Sequence, residues 1–379
     1  MGVRYSYKIR LIIALLIALI AVVALACGGG GIASMEEGRG DHAATLLPDG
    51  RLLVAGGRAA RAIASAEAYD FDTGEWSLAG QMAAARFGHT QTLLGNGKVL
   101  AVGSAPPELY DPGTNMWSAA GNMTHLRKRG HTTTLLEDGR VLVTGGIADV
   151  DGTNRVSRFA ELYDPTTGNW EPTGDMIEPQ GGHKTVLLKD NTVLVVGSKS
   201  EPSQGGTVFV IGETTAELYN PVTGTWSEAG KLPNDHGERF TVTLLDDGQV
   251  LVAGGGTRGR YLLPNITASM DVYDPATGEW STIADMTSKS WGHTASTLSD
   301  GAILFVGMRF VEIYEASTET WTLIGELSDE RNGAHTATLL KDGRVFIVGG
   351  SDLAIDRYGR IGERNGFASV RVYDPVEEW

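Results

Sequence analysis

Seven copies of one two-part phrase run from about residue 35 to the end of the chain. The first part is typified by HTTTLLEDGRVLVTGG, which starts at His131, and the second by AELYDPTTGNW, which ends at Trp170. The tryptophans that close the copies are Trp76, Trp117, Trp170, Trp226, Trp280, Trp321 and Trp379. Strand- and turn-rich repeats with a period of about 50 residues are typical of propeller blades rather than of separate domains.

Each copy predicts four strands, which we call a, b, c and d. Asp138-Gly139 is a two-residue hairpin signal between strands a and b, because glycine tolerates positive φ. Strand b is almost wholly apolar, as expected for a strand covered on both faces, and Gly145-Gly146 ends it. Asp164-Pro165 opens the turn between strands c and d, and Trp170 lies on strand d.

A tyrosine recurs on the third strand of every copy. These tyrosines are Tyr69, Tyr110, Tyr163, Tyr219, Tyr273, Tyr314 and Tyr373. A glycine pair followed by a spaced tyrosine and tryptophan resembles the Kelch-repeat family. That resemblance implies an all-β fold, a β-propeller of four-stranded antiparallel blades. The seven complete copies predict a seven-bladed β-propeller, with the last blade packed directly against the first.

The domain boundaries follow from the copies. We expect a signal peptide over 1–26, a lipidated cysteine and tether over 27–34, and a propeller over 35–379. The predicted blades span about 35–76, 82–117, 123–170, 176–226, 232–280, 286–321 and 327–379.

The first 27 residues read as a secretory signal. Basic residues precede an uncharged apolar run over 11–26, and Cys27 follows small residues. This pattern resembles a bacterial lipobox, in which the cysteine is acylated and becomes the new amino terminus. The alternative is an uncleaved anchor, although sixteen residues fall short of the roughly 20 that cross a bilayer as a helix. Either alternative places the propeller outside the cytoplasm and ties it to a membrane lipid.

Composition excludes some functions. The net charge of −15 disfavours nucleic-acid binding, which needs positive charge against phosphates. The single cysteine excludes an intramolecular disulfide bond. We expect a monomer that needs no cofactor and no metal. In particular, the copper site of galactose oxidase, a known enzyme on this scaffold, requires a tyrosine crosslinked to a cysteine, and no cysteine follows Cys27.

Loop length and charge separate two faces of the predicted ring. The a–b and c–d turns are short and stereotyped, whereas the b–c loops and the d–a links between blades vary. We call the face that these variable segments form the variable face. Of the 28 lysines and arginines after Cys27, twenty fall in these segments. Binding residues commonly lie on variable loops held by a rigid scaffold.

Arginines and off-register aromatic residues on this face are the candidate binding residues. They are Arg86, Phe87, Arg129, Arg239, Phe240, Arg258, Arg260, Tyr261, Trp291, Arg331, Arg357, Tyr358 and Arg360. Guanidinium groups suit carboxylates, and exposed rings suit sugar faces or peptide side chains. The alternative is that the arginines pair with acidic residues of neighbouring loops and the rings pack under their own loops.

Six histidines share one position at the start of strand a: His42, His89, His131, His183, His293 and His335. Blade 5 has Phe240 there. Repetition favours a structural role at the channel mouth, in which the histidines satisfy local backbone groups, over metal binding.

The sequence therefore predicts a membrane-anchored, extracytoplasmic, non-catalytic scaffold for a protein or glycan, with an anionic ligand favoured. The alternative is a sugar-acid epimerase of the sialic-acid type, in which pairs such as Glu238-Arg239 or Glu330-Arg331 move a proton at the channel mouth.

Overall fold

The computed structural model describes residues 32–150, 153–202, 208–258, 264–307, 309–327, 334–355 and 361–375. The protein is a seven-bladed β-propeller, as predicted, and it occupies the compact unit Ser34–Trp379. Every regular element in these residues is a β-strand. Within the same residues there is no helix of the length and apolarity that crossing a membrane requires.

Blades 1 to 4 contain strands β1 to β17. Their bounds are β1 Ala43–Leu46, β2 Leu52–Ala55, β3 Ile63–Asp70, β4 Glu75–Arg86, β5 Thr90–Leu93, β6 Val99–Val102, β7 Glu108–Asp111, β8 Met116–Ala119, β9 Arg127–Leu135, β10 Val141–Val150, β11 Thr153–Val156, β12 Ala160–Asp164, β13 Asn169–Pro172, β14 Lys184–Leu187, β15 Val193–Pro202, β16 Val208–Asn220 and β17 Thr225–Lys231.

Blades 5 to 7 contain the remaining strands. Their bounds are β18 Thr241–Leu244, β19 Val250–Ala253, β20 Gly256–Arg258, β21 Pro264–Ile266, β22 Met270–Asp274, β23 Glu279–Ile283, β24 Thr294–Thr297, β25 Ile303–Val306, β26 Phe310–Glu315, β27 Thr320–Glu326, β28 His335–Leu339, β29 Val345–Gly349, β30 Ser351–Ile355, β31 Ile361–Gly366 and β32 Val370–Tyr373.

Each blade is an antiparallel meander from the inside of the ring outward, for example β1-β2-β3-β4 in blade 1. Blade 7 shows β28, β29 and β32 in that order, and Trp379, which we assigned to its fourth strand, lies outside the described residues. The four long b–c loops prove to be β-structured. The extended strands β15 and β16 form one ribbon, and the pairs β10–β11, β20–β21 and β30–β31 form three more.

The a strands lie side by side around the axis and close the ring. β1 contacts β5, and the series continues through β9, β14, β18 and β24 to β28, which returns to β1. The lead-in to blade 1 also reaches blade 7, since the amide of Met35 donates to the carbonyl of Ala368 at 3.1 Å. Blade 7 therefore packs against blade 1, as predicted.

The hydrophobic core lies between neighbouring blades. All four residues of β2 are buried, as are all four of β6, β19 and β25, which confirms that strand b is covered on both faces. Burial of a side chain such as Leu or Val stabilises the fold by about 1.5–3 kcal/mol. Contacts of this kind at every junction stabilise the closed ring.

The repeated tyrosine and tryptophan form the outer part of each junction. In blade 3 the rings of Tyr163 and Trp170 lie 4.9 Å apart, and the Trp170 indole donates to the carbonyl of Ala120, on the outer edge of blade 2, at 2.7 Å. Trp117 and Trp280 bond to their preceding blades in the same way. Trp226 donates to the carbonyl of Gly174 in the same way, so four of the tryptophans fix their blade to the one before it.

Candidate ligand-binding face

The repeated histidines connect each a strand to the preceding blade. They are 3–6% exposed, and Nε2 in five of the six lies 2.9–3.4 Å from the hydroxyl of a threonine on the neighbouring a strand. Burial lowers the pKa of His131 to about 4 and those of His183 and His293 to about 3. These rings are therefore neutral, and their role is structural. Nε2 of His131 and of His335 also lies 3.0 and 3.2 Å from the backbone carbonyls of Val102 and Val306, so the partners include the backbone groups that the sequence suggested as well as side-chain hydroxyls.

Two junctions depart from this rule for a common reason. The residue that should supply the hydroxyl to His89 is Ala43, and neither ring nitrogen of His89 has a hydrogen-bond partner among the described residues. The residue facing blade 5 is Lys184, and there the histidine is replaced by Phe240. Phe240 is 1% exposed and packs in the core between blades 4 and 5, so it offers no surface to a ligand.

Buried carboxylates form a second repeated feature at the start of strand c. In blades 1 to 3, Arg39 pairs with Glu67 at 2.6 Å, Arg86 with Glu108, and Arg127 with Glu161 at 3.3 Å. All three arginine side chains are fully buried. The guanidinium of Arg86 also donates to the carbonyls of Gly103 and Pro106, at 3.3 and 3.0 Å.

For Arg86 this geometry is a correction. The sequence offered it as a ligand contact, but it has no exposed surface and both of its terminal nitrogens donate inside blade 2. The same position holds Gln180 in blade 4, bonded to Glu217 at 3.2 Å, and His236 in blade 5, bonded to Asp271 at 3.1 Å. A buried donor facing a buried carboxylate is therefore part of the fold.

The residue before the histidine position has a left-handed backbone in every blade. It is glycine in four blades, whereas Asp41, Arg239 and Ala334 take φ values of 51°, 61° and 61°. Side chains other than glycine are strained there by roughly 1–2 kcal/mol. Such strain at the mouth of a channel is a common mark of a functional position.

Arg239 uses that backbone to lie over Trp291. Its guanidinium carbon is 4.5 Å from the centroid of the ring, a cation–π contact. Trp291 is only 3% exposed, so it supports the arginine from below rather than meeting a ligand with its own face. Of the two, Arg239 is the half-buried residue that presents charge at the surface.

A similar pair lies at the junction of blades 1 and 2. Arg58 lies 5.0 Å above the ring of Phe87 and forms an ion pair with Asp41 at 3.0 Å. Phe87 and Arg129 are both partly exposed. The structure therefore leaves Phe87, Arg129 and Arg239 as candidates with accessible surface.

Lys184 is a candidate that the sequence did not single out. It lies on the inner strand β14, in the register where other blades have threonine. The side chain is accessible to solvent, yet protein surrounds it within the central channel. That desolvation, together with the positive charge of Arg239, lowers the pKa of Lys184. The sequence signal that could have identified Lys184 is its position in the repeat, where a lysine replaces the threonine found in most other blades.

Several predicted residues cannot be placed. Cys27, Arg260, Tyr261, Arg331, Arg357, Tyr358 and Arg360 lie outside the described residues, and Arg258 is placed only as part of strand β20.

Other basic residues of the variable face are paired with acidic neighbours, as the alternative interpretation expected. Lys128 pairs with Asp149 at 3.1 Å, and Lys231 pairs with Glu213 at 2.5 Å.

In the portion of the chain that the structure covers, no three His, Cys, Asp or Glu side chains are grouped so that they could bind a metal ion.

Comparison with known proteins agrees with the repeat. The Kelch motif matches residues 39–83 and 241–287. Kelch-like protein 25 of Xenopus tropicalis is 26% identical over 217 residues, which are 55% of this chain and 34% of that protein. Kelch-like protein terF of Aspergillus terreus is 25% identical over 276 residues, 66% of this chain and 57% of that protein. The chain thus spans about a third to just over half of these relatives.

Among solved structures, the fold is similar to that of a novel fungal alcohol oxidase of the AA5 family in complex with copper. The TM-score is 0.67 with 19% identity, over 89% of this chain and 75% of the oxidase. At that identity the similarity concerns the fold alone. Together, the motif and the Kelch-like relatives support a Kelch-repeat protein.

Proposed function

We propose that the protein is a non-catalytic scaffold that binds an anionic protein or glycan at the channel mouth on its variable face. The observation that carries the proposal is the placement of two positive charges on neighbouring blades: Lys184 begins strand β14, and Arg239 lies just before strand β18, which contacts β14. Neither is dictated by the repeat, and the charge of one lowers the pKa of the other. Two like charges in a poorly solvated channel are costly, and a bound carboxylate offsets that cost.

The surroundings of the pair fit recognition rather than chemistry. Arg239 is oriented by its left-handed backbone and by the ring of Trp291. The partly exposed Phe87 and Arg129 lie on the same face and extend the surface. Kelch-repeat propellers commonly serve as protein-binding scaffolds.

The test is a binding screen on the purified protein with sialic acid, galacturonic acid and acidic peptides, read by thermal shift and calorimetry. Arg239→Ala should weaken the best ligand by about 10- to 100-fold, since hydrogen bonds to charged groups contribute about 1.5–3 kcal/mol. Arg344→Ala, at an a–b turn on the opposite face, is the matched control and should bind normally. If no acidic compound binds, or if Arg239→Ala binds as tightly as the parent, the proposal is wrong. Turnover of a bound sugar acid would favour the epimerase alternative instead.

We further propose that Cys27 carries lipid and anchors the propeller outside the cytoplasm. The support is the sequence pattern before Cys27. Labelling of cells with a radioactive fatty acid should mark the parent protein and leave Cys27→Ala unmarked. Equal labelling of the two proteins, or of neither, would exclude the anchor.

A further inference from the structure

Blade 6 keeps the buried carboxylate of the repeat but lacks the buried donor that meets it elsewhere. Glu312 is 5% exposed and corresponds to Glu67 and Glu108. Its hydrogen-bond donors in the described part of the chain are the hydroxyls of Thr287 and Ser288, the latter at 2.9 Å. The position that holds Arg39 or Arg86 in blades 1 and 2 holds Ser290.

A cavity lies where the arginine side chain lies in those blades. Its volume is about 150 Å³, and Ser290, Gly307, Phe310 and Glu312 are among the residues that line it. A cavity of that size admits a molecule as large as benzene, so it also admits the smaller guanidinium group.

The lining repeats the acceptor set that binds guanidinium in blade 1. There, Arg39 donates to the carbonyls of Gly56 and Ser65, at 3.0 and 2.9 Å, and to the carboxylate of Glu67. The corresponding groups in blade 6 are the carbonyls of Gly307 and Phe310 and the carboxylate of Glu312. The backbone matches as well: the amide of Gly307 donates to the Phe310 carbonyl at 2.9 Å, as the amide of Gly56 does to the Ser65 carbonyl at 3.1 Å.

An unsatisfied polar group also lies in the cavity. Ser290 is 8% exposed, and its hydroxyl oxygen is buried and has no hydrogen-bond partner within the described segments. This oxygen lies close to Gly307, one of the residues that line the cavity, because a Cβ built on Gly307 would be 3.0 Å from it. Buried polar atoms without partners are rare in native proteins and call for a specific explanation, such as a missing ligand or water.

The charged residues that line the cavity differ in burial: Glu312 is buried, whereas Lys289 and Arg309 are exposed. Lys289 and Arg309 line the cavity but are exposed, so solvent screens their charges, and the burial of His293 keeps it neutral with a pKa of about 3. The buried carboxylate therefore dominates recognition inside the cavity. The rings of Phe305 and Phe310 are apolar surfaces suited to a planar, weakly hydrated cation.

We infer that the blade 6 cavity is a binding site for a guanidinium group, supplied by a free guanidino compound or by an arginine side chain of a bound polypeptide. This site goes beyond the anion-binding role proposed above and does not depend on it. In blades 1 and 2 the buried carboxylate pairs with an arginine of the protein itself, whereas in blade 6 the ligand would supply the guanidinium group.

The test is calorimetric titration of the whole protein with methylguanidinium chloride, against sodium chloride at equal ionic strength. Binding should be at least about tenfold weaker in Glu312→Gln, which keeps the shape and removes the charge. Ser290→Arg supplies the side chain that blades 1 and 2 carry at this position, and it should abolish binding while raising the melting temperature. Glu279→Gln, an exposed carboxylate of blade 5, is the control and should bind like the parent.

A second arm distinguishes the sources. A capped Ala-Arg-Ala peptide that binds more tightly than methylguanidinium, when its citrulline counterpart does not bind, indicates a polypeptide source. Tighter binding of methylguanidinium indicates a free compound. The inference is overturned if neither probe binds, or if both bind Ser290→Arg as tightly as the parent protein. These titrations use a cation at blade 6 and the anion screen uses acids at the channel mouth, so the two results fail or succeed separately.

Discussion

His42 Nε2 lies 3.0 Å from Thr336 Oγ1, so a single side-chain hydrogen bond joins the first a strand of the propeller to the last. The same contact recurs at four further junctions, including His131 with Thr90. His89 is the exception, because Ala43 stands where its hydroxyl partner belongs.

Ala43→Thr should therefore stabilise the protein. A new hydrogen bond to a buried, unsatisfied His89 should raise the free energy of unfolding by about 0.5–1.5 kcal/mol. Chemical denaturation measures the change, and Ala43→Val is the control with the same shape and no hydroxyl. Equal stability of the two variants would show that the hydroxyl forms no bond to His89.

Removal of a buried arginine should be far more damaging than removal of an exposed one. Arg86→Met leaves the Glu108 carboxylate buried without its partner and should cost about 3–5 kcal/mol. Arg51→Met breaks an exposed pair with Asp49 and should cost less than about 1 kcal/mol. Denaturation curves of both variants measure the loss of unfolding free energy. Similar losses in the two variants would contradict the prediction.

Stability should fall as the pH is lowered from about 6.5 toward 5. The folded pKa values of His131, His183 and His293, about 4, 3 and 3, lie below the value near 6.5 of an unfolded chain. In this range the unfolded state binds protons that the folded state does not, so each histidine contributes a slope of up to about 1.4 kcal/mol per pH unit. His183→Phe should remove about one third of the slope that these three histidines produce, as followed by urea denaturation at several pH values. An unchanged slope would mean that His183 is not held neutral.

The left-handed backbone at Arg239 gives a further prediction. Arg239→Gly should be more stable than Arg239→Ala by about 1 kcal/mol, because both lose the same charge and only alanine retains the strain. At Lys128, in strand β9, the order should reverse, since glycine weakens a strand. Thermal melts of the four variants measure both differences. Alanine more stable than glycine at position 239 would show that the strain is absent.

The fold was predictable because its signals are local and repeated. Asp138-Gly139 sets one hairpin, and the same turn recurs in most copies, so each blade specifies its own strands. The ribbons of the b–c loops were not predicted, because these loops differ in length and sequence from blade to blade and no repeated signal marks their strands.

The candidate site was only partly predictable. Arg86 was predicted to contact a ligand because it lies in a link between blades. Its equivalents differ in identity, being Gln180 in blade 4 and His236 in blade 5. What repeats is the buried acceptor that each of them meets, and this emerges only in three dimensions. Arg239 is partly exposed, whereas Phe240 and Trp291 are buried, and sequence position alone does not show whether a ring points into a blade junction.

The indole of Trp170 bonds back to the blade before it, and His183 does the same at the inner rim through Thr132. Other side chains bond forward, as the Thr45 hydroxyl of blade 1 does to Gln91 of blade 2. Thr132 also bonds to Thr144 within its own blade, so loss of its hydroxyl should disturb blade 3 as well as His183 of blade 4. The consequences of a substitution at a junction should therefore be sought in both of the blades that meet there.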